Sequence, residues 1–258
     1  MLRPEQVNPA VAVLDPVSSY LPNGNRERWD ISFESAESED ESDFVLSVKN
    51  FRIRFADTEE GRNSASMLVN KMYSWRGYAG VHKIAKRKNR ITLTASMDVS
   101  VIGTVTLSLD SPTGLMADEV FKDQIDLRRG PGRKLCELTK LAFDPSVKSP
   151  FALAALFHMC FIYARRMNQC TDAFIEVNPR HRRYYEKMLG FKLQGERRTN
   201  NRVNAPAYLL WIDLDNMEEL VEKFGGTSDH TEVVRSLYPY FFSAREELGI
   251  TNRLIALE

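Results

Sequence analysis

The stretch DAFIEVNPRHRRYYEKMLGFKLQGER (172–197) decides the fold. Residues 172–179 read as a strand. Residues 180–189 read as a helix, entered past Asn178 and Pro179 and stopped by Gly190. A second strand starts at Phe191. Strands that alternate with helices imply βαβ units with parallel pairing.

Working outward, KLCELTKLAFDP (134–145) is a further strand, closed by an Asp-Pro turn. Ser149 and Pro150 supply an N-cap and a first helical position. The helix expected over 150–167 contains the apolar run Phe151–Ala164, broken only by His158. That run is shorter than the roughly 20 residues a bilayer span needs, so it reads as a buried core helix. Residues 90–97 and 99–110 should pair as a hairpin about Asp98, and 117–127 form a short helix. Phe51, Ile53 and Phe55 alternate in a half-buried strand that starts at Phe44. Asp57 with Glu60 offers a capping box. The helix behind it carries Met67, Leu68, Met72 and Trp75 and ends near Gly77.

Residues 206–214 are a last strand, and 215–258 read as two or three short amphipathic helices. Residues 1–43, with the acidic run ESAESEDESD (34–43), show no period and read as an irregular arm. The expected fold class is α/β (α+β). A mixed, twisted sheet of about seven strands with helices on both faces fills 44–214. The acidic arm 1–43 precedes it, and a helical extension, 215–258, packs on it.

The 258 residues include 35 basic and 35 acidic side chains, 43% apolar and 27% charged. These values exclude global disorder, collagen-like repeats and coiled coil. The zero net charge is a cancellation: residues 1–60 carry −7, 61–212 carry +13 and 213–258 carry −6. Such asymmetry either recruits an acidic partner or is neutralised by the ends folding back. Cys136, Cys160 and Cys170 form no C-x-x-C pair, and the four histidines no H-x-x-x-H spacing. No metal site or disulfide framework is expected, and a reducing cytoplasm fits. Pro4, Pro9 and Pro16 interrupt the first residues, which argues against a signal peptide.

Three motifs carry a family resemblance. VNPRHRRYYEKMLGF (177–191) resembles the GNAT acyltransferase superfamily, where an Asn follows the fifth strand, a Tyr lies in the next helix and Gly-Phe opens the sixth strand. Those positions are Asn178, Tyr185 and Gly190-Phe191 here, with Tyr184 as the alternative because the spacing is one residue longer than usual. CoA-dependent members carry Q/R-x-x-G-x-G/A after the fourth strand, where backbone N–H groups meet the pyrophosphate. The matching stretch DPSVKSPFALAALF (144–157) has no glycine, and Pro150 has no N–H. Another carrier is therefore expected to bring the acyl group. CELTKLAFD (136–144) resembles a segment of the acyl-homoserine-lactone synthases. YSWRGY (73–78), the stretch from ADEVFKDQID to LCELTKLAFD (117–144) and NPRH…YYEKMLGF resemble the bacterial long-chain N-acyl amino acid synthases more closely. The resemblance spans roughly 66–214.

The resemblance implies transfer of a fatty acyl group from acyl carrier protein to the α-amine of an amino acid. It implies no cofactor beyond the carrier's phosphopantetheine. Glu137 stands in the position of a general base, and its plain alternative is an ion-paired strand residue. Lys140 would hold the amino-acid carboxylate or the phosphopantetheine, or else form a surface ion pair. Thr139 and Leu141 fall in the expected acyl slot. Tyr185 would protonate the leaving thiolate, or simply pack on the sheet. Asn178 would bind substrate or cap the next helix, with capping favoured. His181, one turn ahead of Tyr185, is a second base candidate or a surface histidine. Arg76, with Trp75 beside it, is a second candidate for the substrate carboxylate, since a guanidinium grips it with two bonds.

The basic runs offer docking ground for the acidic carrier protein, through Arg128, Arg129, Arg133, Lys134, Arg165 and Arg166. Nucleic acid is disfavoured, because aromatic residues are sparse in those runs. Two alternatives stay open: an acyl-homoserine-lactone synthase-like enzyme using S-adenosylmethionine, and a GNAT-fold nucleic-acid-binding module without catalysis. Oligomeric state is open, and the lipid product leaves room for peripheral membrane contact.

Overall fold

The structure, a computed structural model, describes residues 31–34, 44–48, 50–147, 150–228 and 235–257. The expected N-cap at Ser149 and most of the acidic run, 35–43, lie outside the described residues. The strands are β1 (Ile31–Glu34), β2 (Val45–Val48), β3 (Phe51–Phe55), β4 (Arg90–Met97), β5 (Ser100–Leu109), β6 (Leu135–Phe143), β7 (Asp172–Val177), β8 (Lys192–Asn200) and β9 (Ala205–Asp213). The helices are α1 (Glu59–Trp75), α2 (Asp118–Asp126), α3 (Pro150–Phe161), α4 (Arg182–Leu189), α5 (Leu214–Phe224) and α6 (Ala244–Ile255).

Among the described residues, nine strands form one sheet in the order β1-β2-β3-β4-β5-β6-β7-β9-β8. Two more strands appear than the expected seven. Residues 45–55 fold back on themselves, so one expected strand is the β2–β3 hairpin. The other addition, β1, lies within the stretch expected to be irregular and pairs antiparallel with β2. Parallel pairing is also rarer than the helix–strand alternation implied. Only β6 and β7, joined through α3, run parallel. The strand after α4 goes to the sheet edge, and β9 inserts antiparallel between β7 and β8. The cap of α1 is Thr58, whose hydroxyl accepts the Gly61 N–H at 3.0 Å, one residue past the expected Asp57.

The sheet's two faces sort residues by parity. Cys136, Ala173, Ile175, Leu210 and Ile212 face α3, α4, α5 and α6. Leu135, Phe174, Leu209 and Trp211 face α2. Ala142 meets the apolar side of α1 (Ala65, Leu68, Val69 and Met72). In α3 every residue from Phe151 to Phe161 is buried, because the sheet lies on one side and Leu237–Phe242 and α6 on the other. The helix expected to reach residue 167 ends its α-helical part at Phe161 and continues as a π-helical segment, Ile162–Met167. Among the described residues no helix is long and apolar enough to cross a membrane.

One irregularity opens the sheet. β6 and β7 pair only over Leu135–Leu138 and Asp172–Ile175. Beyond that they separate into a fork. On the β5 side, Thr104 faces Ala142 and Thr106 faces Thr139, so Val105 stands against both Lys140 and Leu141. This is a β-bulge, and it bends β6. Lys140 adopts φ +51°, a left-handed conformation that costs a side-chain-bearing residue about 1–2 kcal/mol. Past the bulge, the Phe143 ring crowds Gly103, where an added Cβ would sit 2.4 Å from the ring.

Candidate active site

A cavity of about 110 Å³ fills the fork. It passes through the sheet, so its walls come from both faces. Tyr73, Arg76, Tyr78 and Glu176 line one side, and Phe157, Ile175, Val177 and Tyr185 the other. Leu138, Thr139, Lys140 and Leu141 form the β6 rim, and Asn178 and His181 the β7 rim. The β7-facing backbone groups of β6 have no strand partner past Leu138. Their N–H groups are therefore free to meet a carbonyl oxygen.

YSWRGY shapes the first wall. Gly77, at φ +74°, ends α1 in the left-handed region, and the Tyr78 N–H reaches back to the Tyr73 carbonyl at 3.0 Å. This Schellman-type turn brings Tyr73, Arg76 and Tyr78 together. Arg76 is 7% exposed, and its Nε has no hydrogen-bond partner. No carboxylate pairs with it among the described residues. Burial lowers its pKa, which the nearby Tyr73, Tyr78 and Tyr185 oppose. A buried guanidinium without an acidic partner has the charge and the forked donors to meet an anion. Trp75 is not part of this wall: it points outward and is 47% exposed.

Glu137 is fully buried but does not line the cavity. It shares the face of Leu135, one residue before the lining begins. Its Oε2 accepts the Met116 N–H at 2.7 Å, and Oε1 has no partner. Burial pushes its pKa up to about 8, and the charge of Glu176 adds to the rise. Glu176 is the carboxylate that lines the fork. It accepts from Asn200 Nδ2 and, at 2.8 Å, from Arg202. Burial raises its pKa as well, against the pull of Asn200 and Arg202. The sequence reading passed over Glu176, although a lone glutamate in the apolar strand DAFIEV was a signal.

The other expected residues divide. Tyr185 is buried against Phe157 and Phe191, and burial raises its pKa, so the phenol keeps its proton. His181 has a buried Nδ1 without a partner, and burial drops its pKa to about 4, so the ring is neutral at physiological pH. Asn178 caps the turn at Pro179, its Oδ1 accepting the Arg180 N–H at 3.2 Å, while still lining the cavity. Thr139 carries a buried, unpartnered hydroxyl. The Lys140 ammonium donates to the Lys83 carbonyl, and burial lowers its pKa to about 8. Three lining side chains, Arg76, Thr139 and His181, thus hold buried polar atoms without partners. Such atoms are rare in folded proteins and mark a place where a ligand completes the bonding.

The expected docking cations lie elsewhere and are largely engaged. Arg129 is held by Asp110, Asp118 and Asp126, with its closest contacts at 2.6 Å. Arg133 pairs with the buried Asp172 at 2.5 Å. Arg165 bonds Asp215 and Glu218, and Arg166 bonds Glu218 and Glu247. Arg128 stacks 3.6 Å from the centre of the Trp211 ring. Lys134 donates to the Gln169 side chain at 3.1 Å. The acidic α5 and α6 therefore neutralise Arg165 and Arg166, in line with the folding back of the ends that the charge asymmetry left open.

Comparison with known proteins agrees with this geometry. Residues 64–213 match the family model described as N-acyl amino acid synthase FeeM. The solved structure of FeeM, an N-acyl amino acid synthase from uncultured soil microbes, is 27% identical, covers 66% of this chain and 93% of its own, and superposes with a TM-score of 0.58. The acyl-homoserine-lactone synthase LasI is 13% identical, with 64% and 90% coverage and a TM-score of 0.49. An N-acetyltransferase from Lactobacillus plantarum, described as putative in its own structure, is 13% identical, with 64% and 98% coverage and a TM-score of 0.47. No curated protein matches the chain. With more than half its length matched by one family model, and with the forked sheet in place, the chain belongs to the FeeM family of N-acyl amino acid synthases, acyltransferases with the GNAT fold.

Proposed function

We propose that the fork joins a fatty acyl group, delivered as a thioester of acyl carrier protein, to the α-amine of an amino acid. The observation that carries this reading is Arg76, a buried guanidinium lining the cavity without an acidic partner. It suits the carboxylate of an amino acid, which places the amine toward Glu176 on the same wall.

Glu176, with its raised pKa, takes a proton from the substrate ammonium, directly or through water. The freed amine forms the C–N bond at the thioester carbonyl. Free N–H groups on β6 past Leu138 hold the oxyanion. The C–S bond then breaks, Tyr185 protonates the departing thiolate from the opposite face, and the surplus proton on the new amide nitrogen restores the phenol. Glu137, behind Glu176, is a positioning residue whose own pKa is raised by burial and by the Glu176 charge. Leu138 and Phe157 also line a small apolar cavity of about 20 Å³ between the sheet and α3, which continues the acyl path. Docking falls to Arg183 and Lys187, exposed on the helix that carries Tyr185.

The test supplies acyl carrier protein loaded with dodecanoyl, or dodecanoyl-CoA, together with an equimolar amino-acid mixture and S-adenosylmethionine. Products are read by mass spectrometry. N-Dodecanoyl amino acid from the carrier-protein donor is the expected result. Lactone, or turnover with the CoA donor alone, overturns the acceptor or the donor assignment respectively.

A further inference from the structure

A larger cavity, about 310 Å³, lies where β3 ends and β4 begins, two strands across the sheet from the fork rim. Its walls are apolar: Phe44, Phe55, Ile84, Ile91, Tyr163 and Leu254. Phe55 packs against Phe44 at 5.2 Å and Tyr163 at 6.3 Å between ring centres. Arg62, Lys86, Arg87 and Arg90 also line it, against a single carboxylate, Asp57. Arg62 donates to the backbone carbonyl of Asp57, and Arg90 Nε donates to Ser108 Oγ at 2.9 Å. None of the four cations forms an ion pair among the described residues. The Arg90 N–H closes a tight turn on the Arg87 carbonyl at 3.2 Å, which holds two guanidinium-bearing residues beside each other. Burial and then the Arg87 charge lower the Arg90 pKa, and the Glu137 charge opposes them.

The position matters as much as the chemistry. Phe44, Phe55, Asp57, Arg62, Leu254 and Leu257 fall outside the stretch 64–213 that matches the family. Part of this cavity's wall therefore lies outside the family core, while Ile84, Arg87, Arg90, Ile91 and Tyr163 belong to it. Its size is at the lower end of small-molecule sites, and an apolar lining with a few charged groups is their usual make-up.

We propose that this cavity binds a single-chain amphiphile with a carboxylate head. The chain lies among the aromatic and aliphatic walls, and the carboxylate meets Arg87 and Arg90, whose forked donors match it. A free fatty acid and an acylated amino acid share this chemistry. The site is independent of turnover in the fork.

Titration calorimetry on the full chain tests the proposal with sodium dodecanoate, N-dodecanoylglycine, dodecyltrimethylammonium and inorganic phosphate. Either dodecanoyl carboxylate should bind, and the tighter of the two names the source. Arg87→Glu and Leu257→Trp alter exposed positions at the cavity. Each should weaken that binding at least tenfold, while Arg76→Ala, in the fork, leaves a dodecanoate site intact. Unchanged binding in both cavity variants overturns the proposal. So does equal binding of the cationic amphiphile, or of phosphate alone.

Discussion

The Glu137 carboxylate accepts the Met116 N–H at 2.7 Å and has Glu176 as an electrostatic neighbour. The two glutamates sit on one face of adjacent parallel strands, Glu137 level with Phe174 and Glu176 two residues further along. Two carboxylates in a desolvated place cannot both ionise at low cost, so they titrate as a pair.

This pairing makes stability depend on pH. The folded pKa of Glu137, about 8, exceeds the ordinary carboxyl value of 4.5. Its contribution is present in full below the unfolded pKa and is lost as pH rises through the folded value. Glu137→Gln removes that loss. Melting temperatures of the two proteins should diverge between about pH 5 and pH 8, the variant gaining on the parent as pH rises. Parallel curves would show that the carboxyl is not desolvated as described.

The catalytic split is separate. Glu176→Gln should lower kcat by about 10²-fold or more, the scale of a lost general base. Glu137→Gln should keep most of kcat, because that carboxyl is buried on the Met116 N–H and does not line the cavity. A kcat loss as large as that of Glu176→Gln would make Glu137 the base.

Arg76→Ala should raise the KM for the amino acid by about tenfold to a hundredfold, since a hydrogen bond to a charged group is worth about 1.5–3 kcal/mol. Arg76→Lys should recover only part of the loss, because an ammonium cannot grip a carboxylate with two parallel bonds. Steady-state kinetics against amino-acid concentration measure both. An effect on the acyl donor's KM alone would reassign Arg76 to the donor.

His158 joins the buried helix to the C-terminal extension. Its Nδ1 accepts the Phe242 N–H at 2.9 Å, so Nε2 carries the proton that faces Glu247 at 3.0 Å. Burial lowers the His158 pKa, although Glu247 opposes the shift. A depressed folded pKa means the contribution is full above the unfolded value, about 6.5, and falls away as pH drops through the folded one. His158→Phe should cost about 3 kcal/mol by stranding the buried Phe242 N–H and leaving Glu247 Oε2 without its imidazole partner, although Arg166 still holds Oε1. Denaturant unfolding of parent and variant, from pH 5 to 8, reads both the loss and its decline at acid pH.

Gly103→Ala places a Cβ against the Phe143 ring. Because that ring ends the bulged strand, the variant should lose about 1–3 kcal/mol and also misplace Lys140 and Leu141 at the fork. Activity should therefore fall at temperatures where circular dichroism still shows a folded sheet.

Local pattern decided much of this protein. The alternation of Phe51, Ile53 and Phe55, the β4–β5 hairpin about Asp98, the apolar run into α3 and the Gly190 stop all came from neighbours in sequence, and the boundaries of β4 fall where the pattern put them. YSWRGY and NPRH…YYEKMLGF likewise led to Arg76, His181 and Tyr185, which meet at one cavity. The hairpin within 44–56 escaped notice because one apolar run can serve two short strands as well as a single long one.

Tertiary structure alone decided what depends on distant residues. Charge counts could not show that Arg129 is held by three aspartates, or that Arg165 and Arg166 are spent on α5 and α6. The motif put Glu137 at the base position. Its place before the strands part puts it behind the wall, and Glu176, on the same face but past the end of β6–β7 pairing, comes to the front. A sequence specifies each residue's periodicity and chemistry, but whether a charge is free, paired or buried is settled only when the other strand and helix arrive beside it.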